Sequence, residues 1–146
     1  MNRKPKVLFF STGDSTRSQM AEGFLRKFAG DEVVAASTAV QSVEHDPLVV
    51  EVMKEVGVDI SSQKPKDVAH FFKESFSHVV TLYDSTREKF PVWPFSRNVS
   101  NWSLPDPEKV SGTMDQKREA FRRVRDEIGR DVREFVRQSF PQLQSR

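Results

Sequence analysis

The fold this sequence predicts is an α/β domain built on a mostly parallel sheet. Strand-like runs alternate with helix-like runs along the whole chain, the signature of βαβ units. The first strand runs directly into a loop of glycine and hydroxyl residues and then into an amphipathic helix, the turn at which open α/β sheets bind ligands. At 146 residues, the chain is read as one domain, 1–146, with a single core of ordinary size.

Strands are expected at Lys6 to Ser11, Val33 to Ser37, His78 to Leu82 and near Asn98 to Trp102, each bounded by polar or turn residues. Met20, Phe24 and Phe28 recur every four positions and predict a helix over Ser18 to Phe28. Pro47 at a first-turn position and Gly57 just past the end frame a second helix, Pro47 to Val56. The segment "PKDVAHFF" reads as a third, and "DSTREKF" as a short turn of helix before Pro91. A last helix, about Met114 to Phe140, repeats Phe121, Val124, Ile128, Val132, Phe135 and Val136 at helical spacing, so it should lie across one sheet face.

Composition removes several function classes. Charged residues are 30% and hydrophobic residues 36%, which is globular rather than disordered. The net charge of +2 is scattered, and in the last helix Asp115, Glu119, Asp126, Glu127, Asp131 and Glu134 interleave with the arginines as a solvated face. A nucleic-acid partner would call for a clustered basic stripe, so none is expected. The early apolar run "VLFF" is far short of the roughly 20 residues of a membrane span, and no signal-peptide core follows "MNRKPK". No membrane association is expected, and the cytoplasm is the expected location. The chain has no cysteine, which excludes disulfides, thiolate metal sites and thiol nucleophiles together. His45, His70 and His78 fall in separate segments without metal-site spacing, so neither a metal nor a cofactor is expected.

The chemistry concentrates in "KVLFFSTGDSTRSQMAEG". Ser11, Thr12, Gly13, Asp14, Ser15, Thr16, Arg17 and Ser18 occupy the turn from the first strand into the first helix and form a candidate anion cradle. Gly13 permits a backbone conformation that costs other residues, successive amides can then point inward, and the helix start adds its positive end. Arg17 contributes a planar donor fork suited to a tetrahedral oxyanion, so phosphate or a phosphate-like ion is the natural guest. Ser, Thr and Asp also cap helices that bind nothing, and spacing alone does not separate the two uses. A Walker loop is excluded because the glycine-lysine ending is missing.

That stretch resembles the active-site loop of the low-molecular-weight protein tyrosine phosphatase superfamily, in particular of its thioredoxin-coupled arsenate reductase branch. The family loop is a cysteine, five residues, an arginine and a serine or threonine; Arg17 and Ser18 match, and Ser11 stands where the cysteine belongs. "MKEVGVDIS", "HVVTLYD", "NWSLPDP" and "FRRVRDEIG" resemble further segments of that branch in the same order, over nearly the whole chain. The resemblance implies a four-stranded parallel sheet with helices on both faces. It also implies that Asp106, in "LPDP", is the acid that protonates a leaving oxygen, presented from an extended backbone because Pro107 follows.

By the same resemblance, the reductase relay would run through three thiols, and their positions here are Ser11, Tyr83 and Phe90. A cysteine begins near pKa ~8.5 and falls several units at a helix start, whereas a serine hydroxyl needs a base beside it. Asp14 stands where the family usually has asparagine, and a carboxylate about 6 Å from a bound dianion repels it by a few kcal/mol per unit charge. Some reductases hold a potassium ion beneath the loop at positions corresponding to Asp14, Glu22, Ser37 and the neighbourhood of Lys66 and Asp67. The expectation here is that the Lys66 ammonium replaces that ion and pairs with Asp14 or Glu22.

The leading expectation is a member that binds phosphate or arsenate in the Ser11–Ser18 loop and has lost thiol redox catalysis. Two alternatives stay open: a phosphomonoesterase using Ser11 and Asp106, and an arsenate reductase dependent on an external thiol. In the enzymatic readings Ser11, Arg17 and Asp106 are the candidate catalytic residues. The expected partner is a small oxyanion, with any protein partner unspecified. Trp102 is read as core and Tyr83 as a residue that narrows or caps the pocket.

Overall fold

The structure, a computed structural model, describes residues 4–12, 15–39, 46–64, 66–71, 74–86 and 98–143, with the side chains of residues 66–68 outside that description. Its sheet contains β1 (Lys6–Ser11), β2 (Val34–Ala39), β3 (Lys66–Asp67), β4 (His78–Leu82) and β5 (Val99–Asn101). All neighbours are parallel, in the order β3-β2-β1-β4-β5. The helices are α1 (Thr16–Ala29), α2 (Pro47–Lys54) and α3 (Met114–Ser139).

β1 is central because it is apolar on both faces. Val7, Leu8, Phe9 and Phe10 are all buried, the continuous run expected of a covered parallel strand rather than an alternating one. Val7 and Phe9 join the larger core with Val80, Leu82, Met20, Phe24, Ile128 and Val132, to which all three α-helices contribute. Leu8 and Phe10 face the other way and meet Val79, Phe71 and Phe76. Helices therefore cover both faces unequally: among the described residues the second face carries the 3₁₀ turn Val68–Phe71.

The four expected strands are present, and the sheet gains a two-residue fifth, β3, at the edge of β2. "PKDVAHFF" is therefore not the helix its composition suggested. Lys66 and Asp67 pair with Thr38 and Ala39, and only a 3₁₀ turn follows. A segment this short does not nucleate an α-helix readily, whereas the open edge of β2 offers ready-made partners for its amides. Of "DSTREKF", residues 84–86 are described, with 85 and 86 in a turn; residues 87–90 lie outside the described residues.

α1 and α3 approach closely. A Cβ added at Gly129 would lie 3.1 Å from the Phe24 ring, which explains a glycine in the middle of a long helix. Ile128 and Val132 on either side are wholly buried, each contributing about 1.5–3 kcal/mol of apolar transfer. α2 and α3 are joined by charge. Glu51 and Glu55, one turn apart, meet Arg118 and Arg122, also one turn apart, with Arg122 bonding Glu55 at 2.9 and 2.7 Å. Arg125, only 8% exposed, adds bonds to Glu55 at 2.7 Å and to the Val52 carbonyl at 2.9 Å. Part of the face read as solvated is thus a helix clamp. Trp102 is half-buried and packs against the core, its ring 5.9 Å from those of Phe9 and Phe135. No helix among the described residues is long and apolar enough to cross a membrane.

The strand order places the site. From β1 the chain goes to β2 on one side, while β4 and β5 are added on the other, so the connections diverge at the carboxyl ends of β1 and β4 and leave a crevice there.

Candidate functional site: the carboxyl end of β1

β1 delivers Ser11 to this crevice, held in register between Ala39 and Leu82. Ser11, Ser15, Arg17, Ser18 and Gln19 are fully buried, and Thr12 and Thr16 nearly so. Ser11 Oγ donates to Ser18 Oγ at 3.0 Å, and Ser18 Oγ donates to the Ser15 carbonyl at 3.0 Å. Gly13 and Asp14, the remaining cradle positions, lie outside the described residues. At the start of α1 the N-cap residue, Ser15, makes no side-chain capping bond, and its hydroxyl instead accepts from Gln19 Nε2. No acidic residue sits in the first turn.

Arg17 joins two distant segments. Nη1 donates to the Leu104 carbonyl at 2.9 Å, and Nη2 donates to the Thr12 carbonyl at 3.0 Å and to Thr12 Oγ1 at 3.3 Å. Nη2 also stands 3.6 Å from Asp106 Oδ2, an ion pair whose two side chains are 0% and 6% exposed. Asp106 has the extended backbone its proline neighbour imposes, φ −81° and ψ 112°. Its Oδ1 accepts from the Glu108 amide at 3.0 Å and caps the 3₁₀ turn Pro107–Lys109. Glu108 in turn accepts from Thr16 Oγ1 at 2.7 Å, across a separation of 92 residues. Sequence reasoning brought Ser11, Thr12, Ser15, Thr16, Arg17, Ser18 and Asp106 to the site, and the fold gathers them. It missed Leu104, Gln19 and Glu108. Glu108 carried one signal, an acid in the first turn after a proline, but nothing in the sequence named Thr16 as its partner.

Glu22, in the second turn of α1, is buried beneath this end of the sheet at 3% exposure. Its Oε1 accepts from Ser37 Oγ at 2.6 Å, and Oε2 is paired with Arg26 Nε at 2.9 Å and Nη2 at 2.6 Å. Arg26 is further fixed by the Ala35 carbonyl at 3.0 Å. The cation beside Glu22 is thus the Arg26 guanidinium; the side chain of Lys66, the residue expected there, lies outside the described residues. Both Glu22 oxygens are thus engaged, one by the Ser37 hydroxyl and the other by the Arg26 cation. The four-residue spacing of Glu22 and Arg26 was the available signal.

Tyr83 follows β4 and is tied by its backbone to the Asn101 side chain, its amide donating at 3.3 Å and its carbonyl accepting at 3.4 Å. Phe90, Trp93 and His45 lie outside the described residues. His78 opens β4, at the end of the strand away from Ser11, with its ring edge-on to Phe135 and Phe140; burial lowers its pKa. Among the described residues no group of three or more His, Cys, Asp or Glu could hold a metal ion.

Fold and site together define a phosphatase-like α/β domain, and comparison with known proteins makes the family definite. Residues 6–145 match the low molecular weight phosphotyrosine protein phosphatase family, so the chain belongs to it, as a cysteine-free member of its arsenate reductase branch. The arsenate reductase of Halalkalibacterium halodurans is 38% identical over 136 residues, covering 93% of this chain and 97% of that protein. A solved arsenate reductase in the phosphate binding state superposes with a TM-score of 0.76 at 29% identity, covering 92% of this chain and 98% of the other. A thioredoxin-dependent arsenate reductase of Corynebacterium glutamicum gives a TM-score of 0.70 at 25% identity, covering 94% of this chain and 62% of the other.

Proposed function

We propose that this protein is a cytoplasmic oxyanion-binding member of the arsenate reductase branch in which thiol redox catalysis has been lost. One observation carries the reading: the chain contains no cysteine, yet the hydroxyl loop, Arg17 and Asp106 still converge at the carboxyl end of β1. A thiolate is accessible at neutral pH because a thiol starts near pKa ~8.5 and is lowered further at a helix start, whereas a serine hydroxyl attacks only with a base to take its proton. The Ser11 proton is directed at Ser18 Oγ, another neutral hydroxyl. Tyr83 and Phe90, at the other two relay positions, have no sulfur to oxidise.

The ligand class follows from what remains. A helix start next to a buried guanidinium favours a tetrahedral anion. The phosphate binding state of a similar arsenate reductase supports phosphate or arsenate as the guest.

Calorimetric titration with phosphate and arsenate tests the binding half, with an Arg17→Ala variant as the control. Saturable binding that the variant loses is the expected result; no heat at millimolar ligand removes the reading. Arsenite release with thioredoxin, and with an added small thiol, tests the catalytic half and should stay at background. Turnover of an aryl phosphate, abolished by both Ser11→Ala and Asp106→Asn, would replace the binding reading with a phosphomonoesterase.

A further inference from the structure

We propose that His78 is a proton-operated fastener for the C-terminal end of α3: its neutral ring holds Phe135 and Phe140 against the sheet, and its protonation lets that end come away. The inference is independent of the oxyanion reading. His78 opens β4, whereas Leu82, at the other end of the strand and roughly 13 Å away, is the partner of Ser11.

The contact is one of rings. The His78 ring lies edge-on to Phe135 and Phe140, with centroids 5.1 and 5.6 Å away, and the two phenylalanines meet each other at 5.6 Å. Trp102 adds a further contact to Phe135 at 5.9 Å, so the imidazole belongs to an aromatic cluster that joins α3 to β4 and to the residue after β5. Phe140 is buried and is the C-cap of α3, its amide donating to the Val136 carbonyl at 2.9 Å. Leu143, buried in the 3₁₀ turn Pro141–Leu143, donates to the Phe140 carbonyl at 3.0 Å. A helix end and one short turn open more easily than the middle of the helix, so the rings that hold them decide how often they do.

Hydrogen bonding assigns the proton. Ser77 Oγ has one hydrogen and donates it to the Lys6 carbonyl at 3.0 Å. Toward His78 Nδ1, also 3.0 Å away, it can then only accept, so the neutral ring carries its hydrogen on Nδ1 and takes a further proton on Nε2. That proton charges a half-buried ring set among phenylalanines, and burial accordingly lowers the His78 pKa from 6.5. Acids described on the elements packed here are engaged elsewhere or disfavoured as counter-ions. Lys6 of β1 is paired with Glu74 at 3.7 Å. On α3, Glu134 is held by Arg137 and Gln138, and Asp131 is itself pushed toward its neutral form by burial and by Glu127. Arg130, Arg133 and Arg137 of the same helix add positive charge, while β5 and the turn Pro141–Leu143 carry no charged residue. Because the folded value is the lower one, the opened segment binds the proton more tightly than the closed one, and the penalty for staying closed grows as pH falls through 6.5.

Nuclear magnetic resonance on the full chain tests this. The His78 ring should titrate below pH 6.5, with Nδ1 carrying the hydrogen in the neutral form. Hydrogen exchange at the Phe140 and Leu143 amides, corrected for the intrinsic effect of pH, should lose about fivefold or more in protection between about pH 7.5 and about pH 5. His78→Phe keeps a ring and cannot be protonated, and His78→Asn keeps a donor toward Ser77; in each, protection at these two amides should stay flat over the same range. A His78 pKa at or above 6.5 would mean that the carbonyl end of α3 and the ring faces attract the cation more than burial repels it, and would overturn the proposal. So would protection that changes by less than about twofold, an equal loss in both variants, or a loss shared by the mid-helix amides of Ile128 and Val132, which would make the response global.

Discussion

Thr113 starts α3 and Ser15 starts α1, and the two hydroxyls serve opposite ends. Thr113 accepts from the Gln116 amide at 3.1 Å, and Gln116 returns a bond to the Thr113 amide at 2.8 Å, a complete capping box on an exposed helix start. Ser15 is buried, makes no capping bond and accepts from Gln19 instead. Residue type is nearly the same at both places. A helix start closed by its own exposed side chains serves stability, whereas the start of α1 lies in a buried polar cluster beside Arg17, the setting the oxyanion reading requires.

The largest effect should come from Arg17→Ala at the ligand-facing start. It leaves the Leu104 and Thr12 carbonyls without this donor and Asp106 without its cation, so stability should fall by about 3–5 kcal/mol in denaturant unfolding. Phosphate affinity should fall by about a hundredfold. Retained affinity would mean that the start of α1 holds the anion unaided. Arg26→Gln, one level below the cradle, should lower stability by about 1–3 kcal/mol, less than a wholly buried pair because the arginine side chain is 56% exposed. Thermal unfolding of the variant measures that cost.

Thr113→Ala sharpens the contrast directly. Loss of the α3 cap should lower stability by about 1 kcal/mol with phosphate affinity unchanged, and a change in affinity would show that the two helix starts are coupled. The smallest effect lies in the α2–α3 clamp. Hydrogen bonding by Arg122 first, then by Arg125, outweighs burial and lowers the Glu55 pKa from 4.5 to about 2. Because the folded value is the lower one, this contribution is complete above pH 4.5 and is lost as pH falls toward 2. Comparing Glu55→Gln with wild type by unfolding across that range should show the gap closing toward the acid end.

Legibility followed distance along the chain. The core strands and the three α-helices were readable because burial on two faces leaves an unbroken apolar run and burial on one side of a helix leaves a periodic one. "VLFF" and the Phe121-to-Val136 series are those two patterns. The 66–71 segment was not readable, since its few apolar residues fit a helix as well as an edge strand with a 3₁₀ turn, and the choice belonged to β2. At the site, the loop and Asp106 were visible as separate pieces. The Arg26–Glu22 pair was missed although its spacing is the ordinary helical one.

By itself the sequence determined the strand, loop and helix that make the cradle, and the absence of any thiol to act in it. These are local matters, set by side-chain type, glycine placement and periodicity over a few residues. Only the tertiary structure decided that Arg17 reaches the Leu104 carbonyl 87 residues away and that Thr16 meets Glu108 across 92. Such contacts depend on which strands become neighbours and on where their connections return, and a residue's own neighbours in sequence do not record that.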